Sequence, residues 1–205
     1  MMDKSQRIIA PHGGYRKLRS FQTAQIIYDS TVIFCERFIE RTSRTRDQMI
    51  QAARSGVQNI AEGSMASATS KKTEMKLTSV ARASLEELLL DYQDFLRQRG
   101  LPLWPKDSPK AMTARKKYQS DKSDPSDRSD NPDPYSIKTA NAETAANTLI
   151  CLINQATFLL RRQIQNLEKS FLSEGGFTER LYHARIKSRN RQSSQKGQTG
   201  RKDQD

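Results

Sequence analysis

From about residue 139 to residue 172, apolar side chains return every three or four positions: Leu149, Leu152, Ile153, Ala156, Leu159, Leu160, Ile164, Leu167 and Phe171. That spacing places them on one face of a long helix, with Arg161, Arg162 and other polar groups on the opposite face. A helix of this length cannot bury its stripe alone, so the chain must supply partner surfaces of similar length.

Three further segments offer such surfaces. A helix over about 20–41, with Ser20 as its N-cap, carries Phe21, Ala24, Tyr28, Val32, Cys35 and Ile39. A second, about 45–62, starts near Thr45 and has a small-residue face of Met49, Ala52, Ala53, Gly56, Val57 and Ile60, with Gly63 as its stop. A third, about 70–99, is closed by Gly100 and Pro102 and points Leu77, Val80, Ala81, Leu85, Leu88, Leu89, Tyr92 and Leu96 inward. No alternating strand pattern is present, so the expected fold is all-α, with four helices packed together over 18–172.

The remaining segments read differently. Residues 1–17 form a flexible basic arm, and 101–138 a low-complexity insertion in which Trp104 can dock on the helices. Within it Asp121, Asp124, Asp127, Asp130 and Asp133 recur without the Gly and alternating ligands of a calcium loop, which makes the stretch a spacer. Residues 173–185 turn at Gly175–Gly176 and allow a short helix, and 186–205 read as a disordered basic tail.

Net charge is +12, a surplus that favours encounter with polyanions. Mean hydropathy is −0.82, and no stretch reaches the ~20 apolar residues of a membrane span. Two cysteines, Cys35 and Cys151, cannot build a disulfide framework, and the N-terminal residues lack a signal peptide's apolar core. A cytoplasmic protein is expected. His12 and His183 stand alone without a second ligand at metal spacing, and no nucleophile–base set or phosphate-cradling glycine loop is visible. The expectation is a chain that is not an enzyme and needs neither metal nor cofactor.

The stretch AARSGVQNIAEGS, followed by KKTEMKLTSVARASLEELLLDY, resembles the bacterial four-helix bundle proteins encoded by intervening sequences of 23S ribosomal RNA genes. The matching positions are Ala52, Ala53, Ser55, Asn59, Ile60, Ala61, Glu62, Gly63, Glu74, Ser84, Leu85, Glu87 and Leu88, and Leu18, Phe21 and Ala24 fit the family's opening helix. Gly56 and Val57 depart from the Ile-Pro that often follows the serine, and the insertion and the residues after 172 are additions similar to a longer subgroup with a C-terminal suffix. The resemblance implies an antiparallel up-down four-helix bundle, left-handed, commonly assembled as a homopentamer with a basic surface. It also implies kinship with accessory proteins of diversity-generating retroelements, which bind a reverse transcriptase and its template RNA, and no catalytic activity.

Arg16, Lys17 and Arg19 precede or open the first helix, Arg44, Arg46 and Arg54 lie on the second, Lys71, Lys72 and Lys76 on the third, and Arg161 and Arg162 on the fourth. These are the candidate contacts to RNA or DNA phosphates; read without a partner, the same cations are a solvated face. Asn59 and Glu62 share a helix face three residues apart and read as structural, Asn59 satisfying backbone groups across the helices and Glu62 pairing with a neighbouring Arg, with Gly63 completing the motif. The competing function is a protein–protein adaptor whose basic surface is incidental.

Overall fold

The described residues of the computed structural model are 13–120 and 133–199, and they are all-helical with no strand. A 3-10 turn at Gly14–Lys17 leads into α1 (Arg19–Phe38), α2 (Arg44–Ala66), α3 (Lys71–Gln98), α4 (Pro109–Ser120), α5 (Ala142–Glu174) and α6 (Phe177–Thr199). One continuous core lies among α1, α2, α3 and α5: α1 packs on α2 and α5, and α3 packs on the same two.

The interior is aromatic where α1 meets α3. Phe34 has no exposure, and its ring centroid lies 4.8 Å from Phe95, 4.9 Å from Tyr92 and 5.1 Å from Phe38. The buried Tyr92 hydroxyl donates to Thr31 Oγ1 at 3.0 Å, and that hydroxyl donates in turn to Ile27 O at 2.7 Å. Burial holds the Tyr92 phenol well above its ordinary pKa.

Side-chain contacts fix which helix ends meet. Ser20 Oγ donates to Gln163 Oε1 at 3.0 Å, and Lys71 Nζ donates to Ser170 Oγ, so the starts of α1 and α3 lie beside the latter part of α5. Gly13 N bonds Ser64 O at 3.4 Å, bringing the end of α2 to the same place. At the opposite end Arg37 donates to Ile137 O and Ala140 O, tying the lead-in of α5 to the last turn of α1. Arg99 donates to Phe38 O at 3.2 Å there, and its guanidinium lies 3.9 Å from the Phe95 centroid.

Several boundaries differ from the sequence expectations. Ser20 is not an N-cap: it is buried inside α1, and Leu18 takes the capping position without a side-chain bond. The second helix opens at Arg44 after Ser43 and does not stop at Gly63, which is buried within it. A Cβ at Gly63 would sit 3.3 Å from Leu77 Cβ, so this glycine permits close approach of α3. Ser70 caps α3, accepting from Thr73 N at 3.1 Å, while α5 begins at Ala142 with Asn141 accepting from Thr144 N at 2.8 Å. Val80, expected inside, is 39% exposed.

The insertion is not patternless throughout. Ser108–Pro109 starts α4, with Ser108 Oγ accepting from Ala111 N at 3.2 Å and proline at the first helical position. Asp133 accepts from Ile137 N at 2.6 Å and Lys138 N at 2.8 Å, making a turn that delivers Tyr135 and Ile137 into the core. The other four aspartates of the repeat, at 121, 124, 127 and 130, lie outside the described residues, as do 1–12 and 200–205. The short suffix helix and the disordered tail from 186 give way to α6, which continues through Thr199. Lys, Arg and Gln are good helix formers, so propensity sustains the helix where burial does not.

Trp104 docks as expected. Its indole Nε1 donates to Glu143 Oε1 at 2.7 Å, and its backbone N donates to Asn147 Oδ1 at 2.8 Å. Asn147 is buried, and its Nδ2 reaches Pro102 O at 3.0 Å and Glu143 O at 2.9 Å. Asn147→Ala takes away the side-chain partner of Trp104 N and Pro102 O, both in part-buried bonds, an expected cost of about 1–1.5 kcal/mol. Urea denaturation followed by far-UV ellipticity measures it; a loss below about 0.5 kcal/mol would show that the segment is held by other means.

Candidate nucleic-acid interface

The approach to α1 is built from local contacts. Gly13 adopts a left-handed φ of 79°, open only at low cost to glycine, and Leu18 N bonds Tyr15 O at 2.9 Å to close the 3-10 turn. The Tyr15 ring packs edge-on to Phe21 at 4.8 Å, Arg16 lies 5.8 Å from the Tyr15 centroid, and Gln22 donates to Arg16 O at 2.8 Å. The result is a fixed backbone presenting Arg16 and Lys17 outward; both are exposed.

The contacts from Ser20 to Gln163 and from Lys71 to Ser170 bring this turn to the level of Arg161 and Arg162 and of the first turns of α3. Eight of the eleven candidate cations therefore share one end of the fold: Arg16, Lys17, Arg19, Lys71, Lys72, Lys76, Arg161 and Arg162. Among the described residues no carboxylate lies within ion-pair distance of Arg16, Lys17, Lys72, Lys76, Arg161 or Arg162. Glu62, Glu74 and Glu168 are the nearby acids in sequence; Glu74 is half-buried, and burial pushes its carboxyl above the ordinary range while Lys71 pulls it down. Lys71 and Lys72 also face the positive end of the α3 dipole, so this end concentrates positive potential from backbone and side chains alike.

The other three candidates do not join it. Arg44 and Arg46 open α2, twenty residues from Ser64 and thus about 30 Å away along the helix axis. Arg46 is half-buried, with Nε enclosed and without a partner among the described residues. It lies near Cys35, whose thiol burial pushes up to about 12, with Arg46 acting in the opposite sense. Arg54 is exposed midway along α2. At the far end Arg37 and Arg99 donate to carbonyls and Arg97 pairs with Asp94 at 2.8 Å, while Arg41 and Arg44 are exposed.

Asn59 acts within its own helix rather than across the interface. Its Nδ2 donates to Ser55 O at 2.9 Å and Ser55 Oγ at 3.1 Å, and Ser55 Oγ meets Ser84 Oγ of α3 at 2.9 Å. Glu62 is exposed, and the expected pairing with a neighbouring Arg does not form among the described residues. One surface residue escaped the sequence reading. Phe158 is 48% exposed, and the guanidiniums of Arg161 and Arg162 lie 5.6 and 5.9 Å from its centroid. The available signal was an aromatic off the apolar stripe followed by arginines three and four residues later.

No group of three His, Cys, Asp or Glu side chains converges among the described residues, and no described helix is long and apolar enough to cross a membrane. Comparison of the chain with protein-family models, curated proteins and solved structures gives no match.

Proposed function

We propose that the chain is a non-catalytic, homo-oligomeric nucleic-acid-binding protein of the cytoplasm that holds RNA at the end where the eight cations meet. The observation that carries this reading is the gathering of those groups from three separate stretches of the chain, six of them without a paired carboxylate among the described residues. Arginine and lysine at such an end bind phosphates by charge-assisted hydrogen bonds and release counterions, without reading sequence.

The finer architecture belongs to the same proposal. An antiparallel up-down four-helix bundle is supported by the way the start of α1 meets the latter part of α5 and by the Ser55–Ser84 and Gly63–Leu77 contacts between α2 and α3. Membership of the family named above, a pentameric ring and service to a retroelement reverse transcriptase rest on the Asn59–Gly63 motif and its flanks. The adaptor reading draws support from exposed apolar side chains toward the C-terminus: Leu172 (84%) and Tyr182 (61%).

A salt titration of binding to a generic single-stranded RNA tests the main claim. With five or so phosphate contacts, log K should fall with log salt at a slope of about −3.5. Absence of binding near physiological ionic strength would leave the adaptor reading in its place. Light scattering on the same sample tests the assembly; a monomer removes the ring.

A further inference from the structure

A groove of about 680 Å³ runs between α4 and α5, roofed in part by the 103–106 segment. It falls within the range of roughly 300–1,000 Å³ typical of sites for small organic groups. Its walls combine Leu103, Trp104, Ile150 and Phe158 with three cations, Arg19, Lys106 and Arg115, and no carboxylate among the described residues lines it. Glu143, behind Trp104, is engaged by the indole and by Lys110 Nζ at 3.0 Å. Gln155 also lines the groove, and its Oε1 is buried without a hydrogen-bond partner among the described residues.

We infer that this groove receives one unstacked nucleotide of a single-stranded nucleic acid. The inference rests on the nucleic-acid reading above and sharpens it from a charged end to a strand with a base-holding point. Base and phosphate each have a counterpart here. The planar base lies against the exposed Phe158 ring and the apolar wall, and its phosphate meets Arg115 and Arg19. An aromatic platform beside a cationic track is how single strands are held without strong sequence preference. A base-paired duplex cannot present a base to such a groove without extruding it. Arg161 and Arg162, which flank Phe158, join the groove to the basic end and give the backbone a continuous path.

Trp104 is the chain's only tryptophan and lines the groove, so its emission reports occupancy directly. The full chain is titrated with a short single-stranded oligoadenylate, with the same strand paired in a duplex, and with inorganic polyphosphate, binding being followed in parallel by sedimentation. The expected result is quenching of Trp104 by the single strand alone, although polyphosphate also binds. Phe158→Ala should weaken single-strand binding about tenfold at fixed salt and leave the salt slope unchanged; its side chain is half exposed, and ellipticity verifies the fold. Arg115→Gln should shallow the slope by about 0.7. Single-strand binding with a silent Trp104 and an unaffected Phe158→Ala variant would overturn the base-holding groove and leave the charged end standing. Failure of every polyanion to bind would remove both.

Discussion

Phe34→Ala is expected to destabilise the fold by about 3–5 kcal/mol, the usual cost of removing a fully buried phenyl group. The upper half of that range applies because three rings pack on it, from α1 and α3, and none can follow it into the void. For a chain of this length that cost corresponds to a fall in Tm of about 10 °C. Urea denaturation should show a lower midpoint at an unchanged m value, the sign of lost stability rather than an altered unfolded state. Phe34→Leu, which keeps most of the volume, should lose only about 1–1.5 kcal/mol. A Phe34→Ala variant within 1 kcal/mol of the parent would mean that the aromatic cluster is not the centre of the core.

The second large effect concerns charge. Replacing Lys72, Lys76, Arg161 and Arg162 together by Gln should shallow the salt dependence of RNA binding by about 3, at roughly 0.7 per lost phosphate contact, and lower affinity at 0.1 M salt by two to three orders of magnitude. All four side chains are exposed, so the fold should survive, and removing lysines from the first turns of α3 relieves an opposed dipole. The control is Arg41→Gln with Arg44→Gln at the other end, where binding should stay within about threefold. Equal losses from both sets would show that net charge alone governs binding, and the end-specific site would be abandoned.

How much of this was legible beforehand varies by helix for physical reasons. The α5 stripe was read well because its buried members are large and apolar: Leu149, Leu152, Ile153, Ala156 and Leu160 are all inside. For α1 the face was read rotated. Its buried side includes Ser20, Thr23, Ser30 and Thr31, and it carries Ile27 and Phe34, which the spacing of Phe21, Tyr28 and Val32 passed over. Thr23 and Thr31 can hide there because each hydroxyl donates to the carbonyl four residues earlier, which satisfies its O–H within the helix. Hydrophobicity alone cannot find a face built in this way.

The candidate interface shows a similar division. Clusters of Lys and Arg are visible in any sequence, but which cluster falls at which end depends on contacts such as Ser20–Gln163, across 143 residues. Arg46, expected on the surface, is half enclosed, whereas Lys106 and Arg115 belong to the 101–138 insertion, which shows no hydrophobic periodicity to place them. Ser108–Pro109 is a helix start that hydrophobic periodicity does not mark, because α4 carries no apolar stripe.

The two buried glycines of α2 have a consequence for alignment. Gly56 receives Leu85, whose Cδ2 would stand 2.8 Å from an added Cβ, and Gly63, two turns on, receives Leu77 and Thr78. Sliding α3 by two turns would bring either Tyr92 or Thr78 opposite Gly56, and either Leu85 or Lys71 opposite Gly63. One shift forces a phenol into a slot shaped for a leucine, and the other seats an ammonium group in a dry notch. The pair of notches thus works like a key with two wards, turning back a two-turn slip in either direction.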